Sequence, residues 1–515
     1  MSIVAPTNQR AVSHARTHIT AHTLTVAVVL LAILAIRLID LDYNTAFVDE
    51  AIYIINGQQA LQGTSGFVAV RYMFGSYLYP VLAALFGQLF GNELLGARVL
   101  SALYTTLAAG SIYVFTRRVI NPFAGVCAMI IFGFAANSRL VGQLATYDTL
   151  GVALTAVLLM LLGLSLTDDN SARQERLMFY AGVAFAASVL AKYIVLLLAP
   201  ALVLVVLGLL WRCERALVWR LARAFALPVV AILFAYGTIF LDDLLRFVAG
   251  VSGFSSQPAP RAQIIQAVRD ALWPYILLAL LGTTVLFIQR NREARLAAIA
   301  LLVAGAILPV YHSLAGNIRS LDKHVVYSLV MLAPLCGAAV ALIWQWLTRR
   351  APQVLQGPVA QAALAAALVV GCFMAGNQTA SNLKLLWPNM TLTLDVLRGL
   401  PMPQDTRVLA EGGPMYTLYL DWGDRVKMTD TWATAFSYKS LRGEPAMLAA
   451  VKDGEFEYII LDSYYTQGLS YQLGEAARNA NYQIVHIHDA VISNGSTITT
   501  TIYASPNVTM ELNNE

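Results

Sequence analysis

Residues 325–346, VVYSLVMLAPLCGAAVALIWQW, contain no charged side chain and are followed closely by Arg349 and Arg350. An α-helix of 22 residues extends about 33 Å at 1.5 Å per residue, which is enough to cross the ~30 Å hydrocarbon layer of a bilayer. A basic cluster at one end of such a segment is typical of its cytoplasmic side. This stretch predicts a transmembrane helix with a defined direction.

The composition extends this prediction to most of the chain. Hydrophobic residues make up 58% of the 515 positions and charged residues 12%, and the mean hydropathy is +0.63. So few charges cannot cover a water-soluble protein of this size. The net charge is only +4, and the basic residues lie in short clusters between apolar runs, which argues against a nucleic-acid-binding protein.

Long apolar stretches recur along the first three quarters of the chain and predict about eleven transmembrane helices. The first is interpreted as an uncleaved span, because Arg37 follows it without a small-residue cleavage site. The predicted spans are His22–Ile39, Leu94–Phe115, Ile120–Ala136, Leu150–Leu166, Leu177–Ala191, Ile194–Trp211, Ala224–Leu241, Ala271–Ile288, Leu296–Tyr311, Val325–Trp346 and Val359–Ala375.

A shorter apolar run, Tyr77–Phe90, decides the orientation. If it lies in the interface and does not cross, the arginine clusters between spans all fall on the side of the N-terminus, as the positive-inside rule requires. The chain is then a multi-pass protein of the cell membrane with a cytoplasmic N-terminus and an external loop at 40–93. The spans on either side of Lys192 are predicted to form a tight hairpin that turns there.

From about Asn377 the composition becomes that of a water-soluble domain. Short β-rich runs (Arg407–Glu411, Tyr458–Asp462, Tyr482–Ile487, Thr497–Ala504) alternate with helical patterns at Pro445–Val451 and Leu473–Ala480. The sequence therefore predicts a mainly α, polytopic membrane domain over residues 1–376, followed by a small extracytoplasmic α/β domain over residues 377–515.

Three carboxylates lie on the predicted external side. Asp49 and Glu50 begin an amphipathic stretch that runs to Leu61, and Asp148 begins the fourth span. Acidic residues also stabilise the first turn of a helix, so each of the three has two interpretations: a helix cap or a catalytic group.

Cations gather on the same side. Lys192 stands at the end of an apolar hairpin, where an ammonium is costly unless it meets an anion. The segment from His312 to His324 is dense in hydrogen-bond donors, and Arg319 and Lys323 would share one helix face. Such a face could hold a phosphate, although anchoring to lipid head groups would also explain external cations.

The order of these features resembles the GT-C superfamily, in particular the branch containing protein O-mannosyltransferases and the aminoarabinose transferase that modifies lipid A. The matching motifs are Phe47-Val48-Asp49-Glu50 followed by Tyr53 and Gly57, Leu89-Phe90-Gly91 leading to Gly96–Leu103, Ser138-Arg139 through Tyr147-Asp148, and Leu190-Ala191-Lys192-Tyr193. Where relatives carry His-Pro-Pro or Lys-Pro-Pro, this chain has Gly75-Ser76-Tyr77-Leu78-Tyr79-Pro80.

The resemblance implies a glycosyltransferase whose sugar donor is carried on a polyprenyl phosphate. Asp49 would be the base that accepts the proton of the acceptor hydroxyl, with Glu50 and Asp148 as supporting catalytic acids, and the anomeric centre would be inverted. The implied donor-phosphate ligands are Lys192, Arg139, Arg319, Lys323 and His324, and the implied substrate contacts are Tyr53, Arg71, Tyr72, Tyr147 and Tyr193. No cofactor is required, although the carboxylates could bind a divalent cation.

Two other functions remain open at this stage. A transporter or flippase of lipid-linked sugars would also place charges in the membrane, but it predicts internal repeats, and none is visible. A non-catalytic scaffold would keep the fold while leaving Lys192 unexplained. The partners implied are a polyprenyl-phosphate-linked sugar, membrane lipid, and an acceptor that is a protein, a lipid or a polysaccharide.

Overall fold

The computed structural model describes residues 9–64, 74–210, 214–251, 259–288, 292–318, 320–349, 357–420, 422, 425–433 and 435–508. The chain divides into two compact units. Unit 1 comprises residues 1–41, 66–82 and 96–380, and unit 2 comprises residues 42–65, 83–95 and 381–515. Unit 2 therefore includes parts of the predicted external loop as well as the C-terminal domain.

Helices dominate the part of the chain before residue 385. They are α1 (Gln9–Leu38), α2 (Val48–Gln62), α3 (Leu78–Phe90), α4 (Glu93–Val119), α5 (Pro122–Phe134), α6 (Ala136–Gln143), α7 (Tyr147–Leu166), α8 (Ser171–Ala191), a 3₁₀ helix (Tyr193–Leu198), α9 (Ala199–Leu210), α10 (Arg215–Ile239), α11 (Leu241–Val251), α12 (Arg261–Ile288), α13 (Arg292–Ala315), α14 (Leu321–Thr348) and α15 (Pro358–Lys384).

Each of the eleven predicted spans falls on a helix or a pair of helices, apart from Trp211, which lies outside the described residues. Among the described residues, seven helices are long and apolar enough to cross a membrane, and there are eight if α5 and α6, which meet at an angle of 62°, form one span. The chain is a multi-pass membrane protein, and the full count of eleven stays a prediction. Helix α3 has 13 residues, so it is about 20 Å long, shorter than the membrane core, as expected for Tyr77–Phe90.

Unit 1 is built around α14. Helices α5, α7, α12 and α13 all pack against it, and Val325, Val326 and Leu329 of α14 belong to the main hydrophobic core. Lys323 and His324, near the first turn of α14, are buried, and a charge placed there needs a partner.

Unit 2 contains a five-stranded sheet. Its further elements are α16 (Thr391–Gly399), β1 (Thr406–Ala410), α17 (Gly413–Tyr419), β2 (Val426–Asp430), β3 (Ser437–Tyr438), β4 (Leu441–Arg442), α18 (Glu444–Lys452), β5 (Tyr458–Leu461), α19 (Gln467–Asn479), β6 (Gln483–Val491) and β7 (Thr497–Ala504). The strand order is β2-β1-β5-β7-β6, in which β1 runs parallel to β2 and β5 while β7 is antiparallel to β5 and β6.

Alternate residues of the central strands serve two cores, as the two-residue period of a strand requires. Val408, Tyr458 and Ile502 face a core that includes Ala51 of α2 and Leu394 of α16. Leu409, Ile459 and Tyr503 face the second core, which is formed with α18 and α19. The predicted α/β domain is confirmed as a sheet covered on both faces, and helix α2 is one of its covering helices.

Candidate functional site

A buried ion pair joins two of the predicted residues in unit 1. The ammonium of Lys192 lies 2.8 Å from Oδ1 and 3.0 Å from Oδ2 of Asp148. The side chain of Asp148 is fully buried and that of Lys192 is 3% exposed. A pair this deeply buried is costly to break, by about 3–5 kcal/mol, because the remaining charge has no water to solvate it.

Local sequence places each partner. Thr146 is the N-cap of α7, and its hydroxyl bonds both the backbone N–H and the carboxylate of Asp148. The cap is therefore Thr146, and the carboxylate of Asp148 is directed to the lysine. Lys192 has extended backbone geometry in the break between α8 and the 3₁₀ helix, and its ammonium lies 4.1 Å from the centre of the Tyr147 ring.

Two glycines make room for this arrangement. A Cβ on Gly151 would collide with the hydroxyl of Tyr327 and lie 3.4 Å from Cβ of Lys192. A Cβ on Gly75 would collide with the carbonyl oxygen of Ala191. The segment that departs from the Pro-Pro motif thus contacts residues 190–193, which we call the lysine turn. Ser76 N–H donates to the Leu190 carbonyl at 2.7 Å, and Tyr193 N–H donates to the Phe74 carbonyl at 2.8 Å.

Two histidines complete the cluster. Nε2 of His324 lies 3.8 Å from Oδ1 of Asp148, and its Nδ1 lies 2.8 Å from Nε2 of His312. The other nitrogen of His312 is 2.5 Å from the carbonyl oxygen of Asn317. Both histidines are buried, His312 at 1% and His324 at 6% exposure. We define the charge cluster as Asp148, Lys192, His312 and His324, with Tyr147 and Tyr327 against it.

Asp49 and Glu50 lie in unit 2, in the first turn of α2. Glu50 is fully buried and accepts the backbone N–H of Phe47 at 2.8 Å, which forms half of a capping box. Glu50 therefore caps its helix, one of the two roles open to it from sequence. Asp49 is half-buried.

The segment before α2 is fixed by the C-terminal part of the same unit. Asn44 donates to the carbonyl of Trp387 at 3.0 Å, and the indole N–H of Trp387 donates to the carbonyl of Thr45 at 2.9 Å. The ring of Phe47 lies 5.3 Å from that of Trp387 and 6.1 Å from that of Tyr465. The orientation of the acidic helix is therefore set by the domain that begins more than 300 residues later.

The remaining predicted residues are dispersed. Arg139 is buried and bonds the side chain of Asn377 at 3.1 Å, with its guanidinium 4.9 Å from the Phe373 ring. Tyr193 shares a 2.7 Å hydrogen bond with Tyr236, Lys323 is buried beside His324, and Tyr53 is buried in α2. Arg71, Tyr72 and Arg319 lie outside the described residues.

A second group of carboxylates lies at the carboxyl ends of β1, β2 and β5. Glu411 accepts the backbone N–H groups of Asp462, Ser463, Tyr465 and Thr466 and the hydroxyl of Ser470. Burial, together with the neighbouring Glu411, raises the pKa of Asp462 well above its usual range, and the two carboxyl groups share a hydrogen bond. Burial raises the pKa of Asp430 to about 6.

Sequence reasoning missed His312 and this second acidic group as members of sites. His312 and His324 lie at the two ends of the donor-rich segment of the sequence, but their pairing depends on how that segment turns. Glu411 and Asp462 each end a predicted β-rich run, Asp430 ends β2, which was not predicted, and their shared position follows only from the parallel strand order. Within the described ranges, no group of three or more His, Cys, Asp or Glu residues is arranged to hold a metal ion.

Residues 76–236 match the sequence profile of the family described as dolichyl-phosphate-mannose-protein mannosyltransferase. The fold is similar to that of ArnT from Cupriavidus metallidurans in the apo state, with 15% identity, a TM-score of 0.63 and coverage of 94% of this chain and 98% of that one. The fold is also similar to that of the same ArnT bound to undecaprenyl phosphate, with 14% identity, a TM-score of 0.60 and coverage of 92% of this chain and 97% of that one.

The oligosaccharyltransferase of Archaeoglobus fulgidus in its apo form is also similar, with 13% identity, a TM-score of 0.54 and coverage of 90% of this chain and 73% of that one. None of the curated proteins compared is significantly similar in sequence. The similarity of fold extends over nearly the whole chain, and the profile match covers residues 76–236, which include Asp148 and Lys192. Part of the chain is thus similar in sequence to the mannosyltransferase family, and its fold is similar to that of ArnT.

Proposed function

We propose that this chain is a glycosyltransferase that moves a sugar from a polyprenyl-phosphate carrier to an acceptor hydroxyl on the extracytoplasmic face of the membrane. The observation that carries the proposal is the charge cluster of unit 1. Asp148, Lys192 and His324 are buried together in an apolar helical unit, where ionisable groups are costly and mark functional sites.

The charge of the cluster suits a phosphate. Lys192 and Lys323 supply two ammonium groups near His324 against the single carboxylate of Asp148. An ammonium has three N–H donors, and Asp148 holds Lys192 in place while the cations stabilise negative charge that grows on a departing phosphate. Asp148 is thus a positioning group for the lysine.

The chemistry needs one base. In the reaction, the bond between the anomeric carbon and the phosphate oxygen breaks with its electron pair on the phosphate, which is stable as an anion. The acceptor oxygen forms the new bond from the opposite side, so the anomeric centre is inverted. The proton of the acceptor hydroxyl goes to a carboxylate, a role that the family motif assigns to Asp49. Glu50, as the helix cap, fixes the turn that carries Asp49.

The comparisons support the choice of carrier. One of the similar structures is an ArnT bound to undecaprenyl phosphate, and the profile match names a dolichyl-phosphate-linked sugar. Both compounds are polyprenyl phosphates. The proposal therefore specifies the carrier and leaves the acceptor as a protein, lipid or polysaccharide hydroxyl.

The test is incubation of purified full-length protein with a panel of polyprenyl-phosphate sugars, followed by measurement of free polyprenyl phosphate. We expect release from at least one donor, and a loss of at least 100-fold in the rate for Asp49→Asn and Lys192→Gln. Lys452→Gln, an exposed lysine of α18, is the matched control and should leave the rate unchanged. Silence across the panel from folded protein contradicts the proposal and favours a flippase or a scaffold.

A further inference from the structure

The two histidines of the charge cluster form a chain of ring nitrogens that ends beside Asp148. Nδ1 of His312 meets the Asn317 carbonyl at 2.5 Å, Nε2 of His312 meets Nδ1 of His324 at 2.8 Å, and Nε2 of His324 faces Asp148 at 3.8 Å. The last atom, Nε2 of His324, is buried and has no hydrogen-bond partner among the residues that the structure describes.

Elementary hydrogen bonding fixes where the protons are. A backbone carbonyl only accepts, so Nδ1 of His312 carries a hydrogen and donates it to Asn317. In the neutral ring the other nitrogen of His312 is then an acceptor, and the hydrogen in its contact with His324 must be on Nδ1 of His324. Neutral His324 therefore has a bare lone pair on Nε2, directed toward the Asp148 carboxylate.

The charged groups around His324 affect whether this lone pair takes up a proton. His324 faces one carboxylate, Asp148, and is close to the ammonium groups of Lys192 and Lys323 and to the ring of His312. The Tyr327 ring, 6.4 Å from the His324 ring, is uncharged. Two cations against one anion oppose a further positive charge on His324. One additional anion beside Lys192 would remove that opposition, because it would make the charges on the two sides equal.

We propose that Nε2 of His324 is a proton-binding site linked to occupation of the donor-phosphate site: it is unprotonated at rest and takes up one proton when a phosphodiester anion binds beside Lys192. His312 is the positioning residue, since its lone pair keeps the hydrogen of His324 on Nδ1 and leaves Nε2 free for the proton. This inference rests on the proposed donor site and adds to it a defined proton stoichiometry.

The test uses a ligand that does not titrate. A phosphate monoester changes charge near pH 6, so the probe is the methyl diester of farnesyl phosphate, which carries one constant negative charge. Binding to the full-length protein in detergent is measured by isothermal titration calorimetry at pH 7.5, in buffers with different ionisation enthalpies. The dependence of the observed enthalpy on the buffer gives the number of protons taken up.

We expect the wild-type protein to take up close to one proton per diester, and its affinity to fall up to tenfold per pH unit above the titration of His324. His324→Gln should bind the diester with an affinity that does not vary between pH 6 and 9, and it should take up no proton. His488→Gln, a half-buried histidine of β6, is the matched control and should behave as wild type. His312→Phe should alter the pH at which uptake is half complete.

The outcomes separate the two proposals. Binding without proton uptake in the wild type, or equal uptake in His324→Gln, overturns the proton site and leaves the donor site standing. Failure of the folded wild-type protein to bind the diester at millimolar concentration overturns the donor site, and the proton site falls with it. Near-ultraviolet circular dichroism of each variant confirms that the fold is retained.

Discussion

Unit 1 and unit 2 each bury carboxylates, and the two units stabilise these carboxylates in different ways. Asp148 is held by side-chain cations, above all Lys192 at 2.8 Å. Glu411 is held by four backbone N–H groups and a serine hydroxyl, and the neighbouring Asp462 has a pKa raised well above its usual range. Side-chain cations can respond to an incoming anion, whereas backbone donors are fixed by the fold. The first arrangement suits a reaction and the second suits structure.

The strongest test of this difference removes the cation. Lys192→Met should destabilise the protein by about 3–5 kcal/mol, because it leaves the Asp148 carboxylate buried without a counter-charge. Thermal unfolding in detergent measures the loss. Adding Asp148→Asn should restore most of the stability but none of the transfer activity, since the energies of contacting residues do not add. Equal melting temperatures for Lys192→Met and wild type would contradict a buried, charged Asp148.

The second test weakens the backbone-held carboxylate. Glu411→Gln replaces one acceptor oxygen with a donor NH₂ group that faces backbone N–H groups, so we expect a loss of about 2–3 kcal/mol in the stability of unit 2. Hydrogen exchange of the β1 and β5 amides measures it. The α18 change Glu444→Gln is a suitable control. Transfer activity at a temperature where unit 2 stays folded should persist, which would separate structure from catalysis.

The third test displaces the lysine turn without changing a charge. Gly75→Ala places a methyl group against the Ala191 carbonyl, so the turn must shift, at a cost of about 1–3 kcal/mol. A donor-binding measurement should show at least a tenfold loss of affinity. Gly371→Ala, on a glycine of α15 with open space around it, is the control and should bind normally. Normal binding by Gly75→Ala would mean that the turn does not set the position of Lys192.

The fourth test concerns pH in unit 2. The pKa of Asp430 is raised to about 6 in the folded protein, against ~3.9 when unfolded. The folded state holds this proton more tightly, so its contribution to stability is present in full below about pH 4 and is lost as pH rises to about 6. We expect a decrease of about 2–3 kcal/mol across this window, measured by hydrogen exchange of β2. Asp430→Asn should flatten the profile, and an unchanged profile would exclude Asp430 as its source.

The helices and the class of the C-terminal domain could be predicted because they follow from local patterns. Apolar runs as long as the membrane is thick identify α4, α7 and α14, and short β-rich runs identify β1, β5 and β7. Strand β2, VKMTD, was missed because it is an edge strand with polar and half-buried residues, so it lacks the apolar signal of a central strand.

The site was predicted in part, for a physical reason. Charges in an apolar context are visible in any sequence, and so Asp148, Lys192 and His324 could be proposed together. Their partners are set by tertiary structure. The capping role of Thr146, the pairing of His312 with His324, and the fixing of Asn44 and Phe47 by residues after 385 all join segments far apart in the chain or depend on turns that no local pattern defines.

The position of Glu411 has a consequence for ligand binding at this end of the sheet. It follows β1, which lies between its two parallel neighbours β2 and β5. Ligands of open parallel sheets usually bind beyond the carboxyl ends of such strands. Here the backbone N–H groups that would receive an anionic ligand already hold a carboxylate of the chain itself. The Glu411 carboxylate therefore takes the position that an anionic ligand would take at such a strand end.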